Sequence, residues 1–167
     1  MMIAGPALVD WARLGTVSKE ELGSSKIHTR NGSIDDEAAS EAEAFSLAKQ
    51  FLSYLPSNVD QLPPRTTSED PITRTAPELL GIIPRDPRKV YKMRKIINAV
   101  IDRDTFFEIG RQWGKSIITG LARIDGVATA VFAEDPMIYG GAWTADSCKK
   151  LIRLCDLAST FHLPLLH

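Results

Sequence analysis

The chain has 167 residues, 44% of them apolar and 25% charged, with 20 Lys and Arg against 21 Asp and Glu. That length and apolar content suit one domain, or one domain with appendages, and exclude a disordered tail. The net charge of −1 argues against a general polyanion binder, two cysteines cannot frame a disulfide scaffold, and no apolar run nears the roughly 18 residues of a membrane span.

Met1 to Val9 carry no basic leader and are soon followed by Asp10 and Arg13, so a soluble, cytoplasmic setting is expected. The averages hide a seam. Residues 1–83 hold 7 basic and 12 acidic side chains, net −5, whereas residues 84–167 hold 13 and 9, net +4. Seven of the ten prolines fall between Pro56 and Pro87. Two unlike pieces joined by a connector are therefore expected: 1–55 helical, 56–77 a Pro-rich linker, and 78–167 mixed.

Pro6 at an early helical position opens a short helix that Gly15 stops. Ser18 with Glu20 and Glu21 predicts a one-turn helix ending at Gly23, and His28 to Gly32 reads as extended or turn-like. The strongest helix is predicted from Asp35 to Leu55, with Ala44, Phe45, Ala48, Phe51, Leu52 and Leu55 on its apolar stripe. Asp35, Asp36, Glu37 and Glu41 would then be a solvated, dipole-matched helix start. Five prolines from Pro56 to Pro77 exclude a continuous helix or central strand, so that segment should run extended over a surface.

Leu79 to Ile83 predicts a helical turn and Tyr91 to Val100 a helix bearing Met93, Ile96, Ile97 and Val100 on one face. Phe106 to Ile109 reads as a short strand. Two apolar runs, 117–124 and 127–132, flank Asp125-Gly126, whose type I′ turn geometry predicts a β-hairpin. A loop carrying Met137, Tyr139, Gly140 and Gly141 follows, then a helix capped by Thr144 and running to about Thr160. Its apolar stripe is read as Cys148, Leu151, Ile152, Cys155 and Ala158, and Leu163 to Leu166 reads as a closing strand.

Chemistry-bearing residues are sparse. Seven-residue spacing makes Cys148 and Cys155 core thiols rather than a redox or metal pair. His28, His162 and His167 lack Cys or carboxylate partners at ligand spacing, so no metal site is predicted. The basic run Arg85, Arg88, Lys89, Lys92, Arg94 and Lys95 reads as a solvated face or inter-domain contact, with anion binding as its alternative. The glycine pair 140–141 lies between a strand and a helix start. There it either makes a tight turn or lets backbone N–H groups meet an anion or developing oxyanion.

The order of segments resembles the carboxyltransferase subunits of biotin-dependent acyl-CoA carboxylases, the propionyl-CoA carboxylase β-type family. The resemblance rests on Gly5-Pro6 through Glu20-Glu21-Leu22-Gly23 and His28, on Leu52-Ser53-Tyr54-Leu55-Pro56-Ser57-Asn58, and on Pro84-Arg85-Asp86-Pro87-Arg88-Lys89 with Tyr91. It continues through Phe106-Phe107-Glu108, Thr119 to Gly126, Pro136-Met137 with Gly141, and Arg153-Leu154-Cys155-Asp156. It implies an α/β, partial crotonase (ClpP/crotonase-like) fold, comprising the helical end of an N-terminal domain, the linker, and the start of a C-terminal domain. It also implies an activity: moving a carboxyl group from carboxybiotin to the α-carbon of an acyl-CoA.

The carboxybiotin would come from a biotin carboxylase/biotin carrier subunit, and the parent family is expected to be homo-oligomeric. On this resemblance the backbone amides of Gly141 and Ala142 are the catalytic candidates, and Met137, Tyr139 and Gly140 the cofactor-binding ones. Neither a nucleic acid nor a membrane partner is expected. The family's main oxyanion-hole glycines have no counterpart here, and Glu134-Asp135 stands where many members have Asn-Gln. The chain is therefore expected to be a truncated piece, inactive alone. A non-catalytic module that associates with a full-length carboxylase subunit is the alternative.

Overall fold

The computed structural model describes residues 4–71 and 73–167; the leader reading at residues 1–3 and residue 72 of the connector lie outside them. Three short helices come first: α1 (Pro6–Trp11), α2 (Lys19–Gly23) and α3 (Ser25–His28). In α2 the Ser18 hydroxyl accepts from the Glu21 N–H (3.2 Å) while the Glu21 carboxylate accepts from the Ser18 N–H (2.9 Å), closing a capping box. The Ser18 N–H and the Ser18 hydroxyl, which also donates to that carboxylate (2.8 Å), hold the Glu21 carboxyl below its ordinary pKa.

The stretch from His28 to Gly32, expected to be extended or turn-like, is a turn from residue 29 onward, and His28 itself ends α3. The Thr29 N–H and hydroxyl both donate to the Ser25 carbonyl, closing the turn of α3. Gly32 follows at φ +78°, where a Cβ would lie 2.6 Å from the Trp113 ring, so only glycine fits beneath that indole.

Helix α4 (Glu41–Ser53) begins six residues later than the sequence predicts. Ser40 caps it, accepting from the Glu43 N–H, while Glu43 accepts from the Ala39 N–H. Asp35 and Asp36 are drawn elsewhere, to Arg153 and Arg111, and so correct the reading of a solvated helix start. Phe51 alone of the stripe within α4 packs on the core; Phe45 and Leu52 are exposed, and Tyr54 and Leu55, just past the helix end, complete the contact.

The Pro-rich segment has no regular structure from 61 to 71 and crosses the tip of the hairpin. There the Thr66 N–H donates to the Gly126 carbonyl (3.0 Å), and the Arg65 guanidinium meets both the carbonyl and the carboxylate of Asp125. A 3-10 turn at Pro77–Gly81 leads to α5 (Met93–Val100).

The sheet has the order β1 (Phe107–Ile109), β2 (Ile117–Ile124), β3 (Val127–Glu134), β4 (Leu165–Leu166). The first two pairings are antiparallel and the β3–β4 pairing is parallel, bridged by α6 (Ala145–Thr160). Asp125 (φ 49°) and Gly126 (φ 74°) form the predicted turn.

Strand alternation builds two cores. Ile117, Leu121, Ala128, Ala130 and Phe132 face α6 and the end of α4; Ile118, Ala122, Val131 and Ala133 face α5. On α6 the buried face is Ser147, Lys150, Leu151, Leu154 and Ala158. This corrects the predicted stripe, since Ile152 is exposed and both cysteines are only partly buried. Two nonlocal and capping interactions rotate the helix: Ser147 is drawn in by its capping box with Thr144, and Lys150 donates to the Gly110 carbonyl.

Candidate functional site

The glycine loop is built by the end of β3 and the start of α6. Asp135 begins it: its N–H donates to the Ser116 carbonyl (2.8 Å), and its own carbonyl accepts from the Ile138 N–H (3.0 Å). Three successive residues, Tyr139 (φ 50°), Gly140 (φ 63°) and Gly141 (φ 80°), then take the left-handed conformation. A Cβ at 140 would meet open space, whereas one at 141 would sit 2.9 Å from the Glu134 Cβ. The second glycine is therefore required by close approach to the strand, and the first by its backbone angle alone.

Met137 and Tyr139 line an open cleft of about 720 Å³, together with Lys115, Ser116 and, from the start of α6, Thr144 and Asp146. Both predicted lining side chains stand well into solvent, Tyr139 at 80% exposure. Gly140, Gly141 and Ala142 are not among the cleft walls. The Gly141 N–H donates to the Ile138 carbonyl (2.9 Å) and the Ala142 N–H to the Tyr139 carbonyl (3.2 Å). Both amides are therefore bonded within the loop.

Around this loop the tertiary structure gathers charges whose meeting the sequence does not announce. Arg94 turns inward from the basic run, its guanidinium forking onto both Glu108 oxygens and donating to the Asp135 carboxylate (2.7 Å). These carboxylates raise the guanidinium pKa above its already high value. Arg85, Arg88, Lys89, Lys92 and Lys95 stay exposed.

Glu134 accepts from the Trp143 indole (3.0 Å) and from His167, whose ring stacks on Phe132. Burial works to raise the Glu134 pKa, but the His167, backbone and Trp143 hydrogen bonds prevail and hold it below the usual value.

Lys150 sits deeper, between α6 and the sheet, beside a cavity of about 210 Å³ walled by Asp35, Phe51, Thr119 and Leu154. Burial pushes its amine down to about 8; nearby Glu108 works against this and Arg94 with it.

A strand, a glycine loop, a helix and a parallel strand follow one another in a layered α/β unit, the arrangement that the resemblance to a partial crotonase-like fold implies. The comparisons with known proteins agree. Residues 1–167 match the carboxyl transferase domain, and the chain belongs to that family. The propionyl-CoA carboxylase beta chain of Roseobacter denitrificans is 33% identical over 99% of this chain and 33% of its own length. The human mitochondrial propionyl-CoA carboxylase beta chain is 32% identical, with 31% of its length covered.

Among solved structures, the transcarboxylase 12S hexamer with hydrolysed methylmalonyl-coenzyme A superimposes with a TM-score of 0.92. Its identity is 25%, over 99% of this chain and 33% of the other. The chain thus spans about a third of the length of the curated relatives it matches.

Proposed function

We propose that the chain contributes to a carboxyltransferase that moves a carboxyl group from carboxybiotin to the α-carbon of an acyl-CoA, and that it is inactive by itself. The whole-length family match carries the reaction class. Inactivity is supported by the loop geometry, in which the Gly141 and Ala142 amides are already bonded to Ile138 and Tyr139. Within this reading the loop 137–142 forms one rim of the acyl site, Met137 and Tyr139 flank the thioester, and carboxybiotin arrives on a biotin carrier from a partner biotin carboxylase subunit. Homo-oligomers of the parent subunit and a cytoplasmic setting complete the proposal. Among the described residues no helix is long and apolar enough to cross a membrane.

The test is a chimera. Replacing the matching third of a full-length propionyl-CoA carboxylase beta chain with residues 1–167 should leave biotin-dependent carboxylation of propionyl-CoA detectable. A well-folded chimera with no carboxylation would overturn the carboxyltransferase assignment. Separately, methylmalonyl-CoA decarboxylation by the isolated chain would overturn its inactivity.

A second reading, a non-catalytic module that assembles with a full-length subunit, is favoured by the apolar side chains left in solvent. Trp11, Leu14, Leu62 and Leu80 are each more than three-quarters exposed. Co-purification with the full-length subunit and no turnover in the chimera would select it.

A further inference from the structure

Adjacent residues at a strand end point to opposite faces of the sheet. Glu134 continues the side of Ala130 and Phe132, toward α6 and β4, while Asp135 continues the side of Val131 and Ala133, toward α5. Each carboxylate finds a partner on its own side, and each also reaches the glycine loop. The Asp135 side chain, 6% exposed, accepts from the Met137 N–H (3.1 Å) at the loop's entrance and from Arg94. Glu134 accepts from the indole of Trp143 at the loop's exit and from His167, with its Cβ against Gly141.

We infer that Glu134 and Asp135 are positioning residues, a two-sided clamp holding loop 136–143 in the conformation that engages the Gly141 and Ala142 amides internally, with Arg94 fixing the Asp135 side. The physical reason is the difference between the two halves. Asp135 is buried with a forked, charge-assisted partner that is itself held by Glu108, so the entrance of the loop has little freedom. Glu134 meets groups that are half exposed, Trp143 at 54%, so the exit yields more easily. Arg94 thereby links α5 to the loop, which gives one member of the basic run an inward purpose while its neighbours face solvent. The functional weight of the clamp rests on the reading of this loop as a rim of the acyl site.

Amide hydrogen exchange followed by NMR on the whole chain tests the clamp without any turnover. In Asp135→Asn the Met137 and Ile138 amides should exchange about tenfold faster or more, while amides of β2 hold their protection. In Glu134→Gln the Gly141 and Ala142 amides should loosen first and Met137 should hold. Arg94→Lys, which keeps the charge and loses the fork, should reproduce the Asp135→Asn pattern in weaker form, and Arg65→Gln, at the opposite end of the hairpin beside Asp125, serves as a remote control.

Loop amides unchanged in both Asp135→Asn and Glu134→Gln would overturn the clamp. So would identical loosening in the two variants, because it would mean the loop responds to general destabilisation. If Asp135→Asn unfolds the chain, unchanged Met137 exchange in Arg94→Lys overturns it instead. A chimera without carboxylation leaves these outcomes intact, so loss of the functional reading and loss of the clamp are told apart.

Discussion

The residues before the connector and those after it are held in place by different physics. From Ile97 to Leu163 the chain supplies nearly all the fully buried apolar side chains, gathered on the two faces of one sheet. Helices α1 to α4 contain no fully buried residue, and Tyr54 and Leu55, just past α4, with the half-buried Phe51, are the N-terminal part's contribution to the core. The early segment is instead pinned by polar contacts. Arg153 bonds the Gly32 carbonyl and Asp35, and Arg111 pairs with Asp36. Exposed ion pairs of this kind are each worth about 1 kcal/mol or less, whereas a buried leucine is worth several times that. One part is held by packing and the other by tethers, and a family label alone does not convey that difference.

The contrast is sharpest under truncation of apolar groups. Leu121→Ala, at a fully buried centre of β2, should cost about 3 kcal/mol in a urea titration. Trp11→Ser should stay within about 0.5 kcal/mol, and a comparable loss there would erase the distinction.

Arg123 joins the two regimes. Buried on β2, its guanidinium donates to the carbonyls of Ser53, Pro64 and Gly126 and lies over the Tyr54 ring. Arg123→Met should cost about 2 kcal/mol and expose residues 61–71 to limited proteolysis, since it frees the end of α4 and the connector together.

Lys150 tests the core from the opposite side. Its folded-state pKa of about 8 lies below the ordinary 10.5, so between those values the unfolded chain binds more protons than the folded one. Stability should therefore rise with pH from about 8 to 10.5, and the penalty should be fully present below 8. Lys150→Met should remove that rise and raise stability at pH 7 by about 1 kcal/mol or more, read by thermal melts across pH. Smallest of all, Asp35→Asn should cost about 0.5 kcal/mol, with the loss vanishing at high salt.

Much of the candidate site was legible in residue order, but not its wiring. The glycine pair was visible between a strand and a helix start, and Met137 and Tyr139 do line a cleft there. The internal bonds of the Gly141 and Ala142 amides were not visible, because they depend on three consecutive left-handed residues, one of them the non-glycine Tyr139. Glu134 and Asp135 stood out in the family resemblance only as departures. Asp135 meets Arg94 from 41 residues away and Glu134 meets His167 from 33, and no local pattern couples such separations.

The opening balance of charge is a similar case. Net −1 describes neither half of the chain, and the seam between −5 and +4 marks acids before the connector that pair with arginines after it. The sequence by itself determined the short-range features: the Asp125-Gly126 hairpin, the Thr144 cap, the Ser18 cap and the helix-breaking prolines, each set by backbone sterics within a few residues. Only the tertiary structure decided which face of α6 is buried and which arginine turns inward. Those choices depend on the partner each side chain meets across the sheet, and that partner is brought there by the fold.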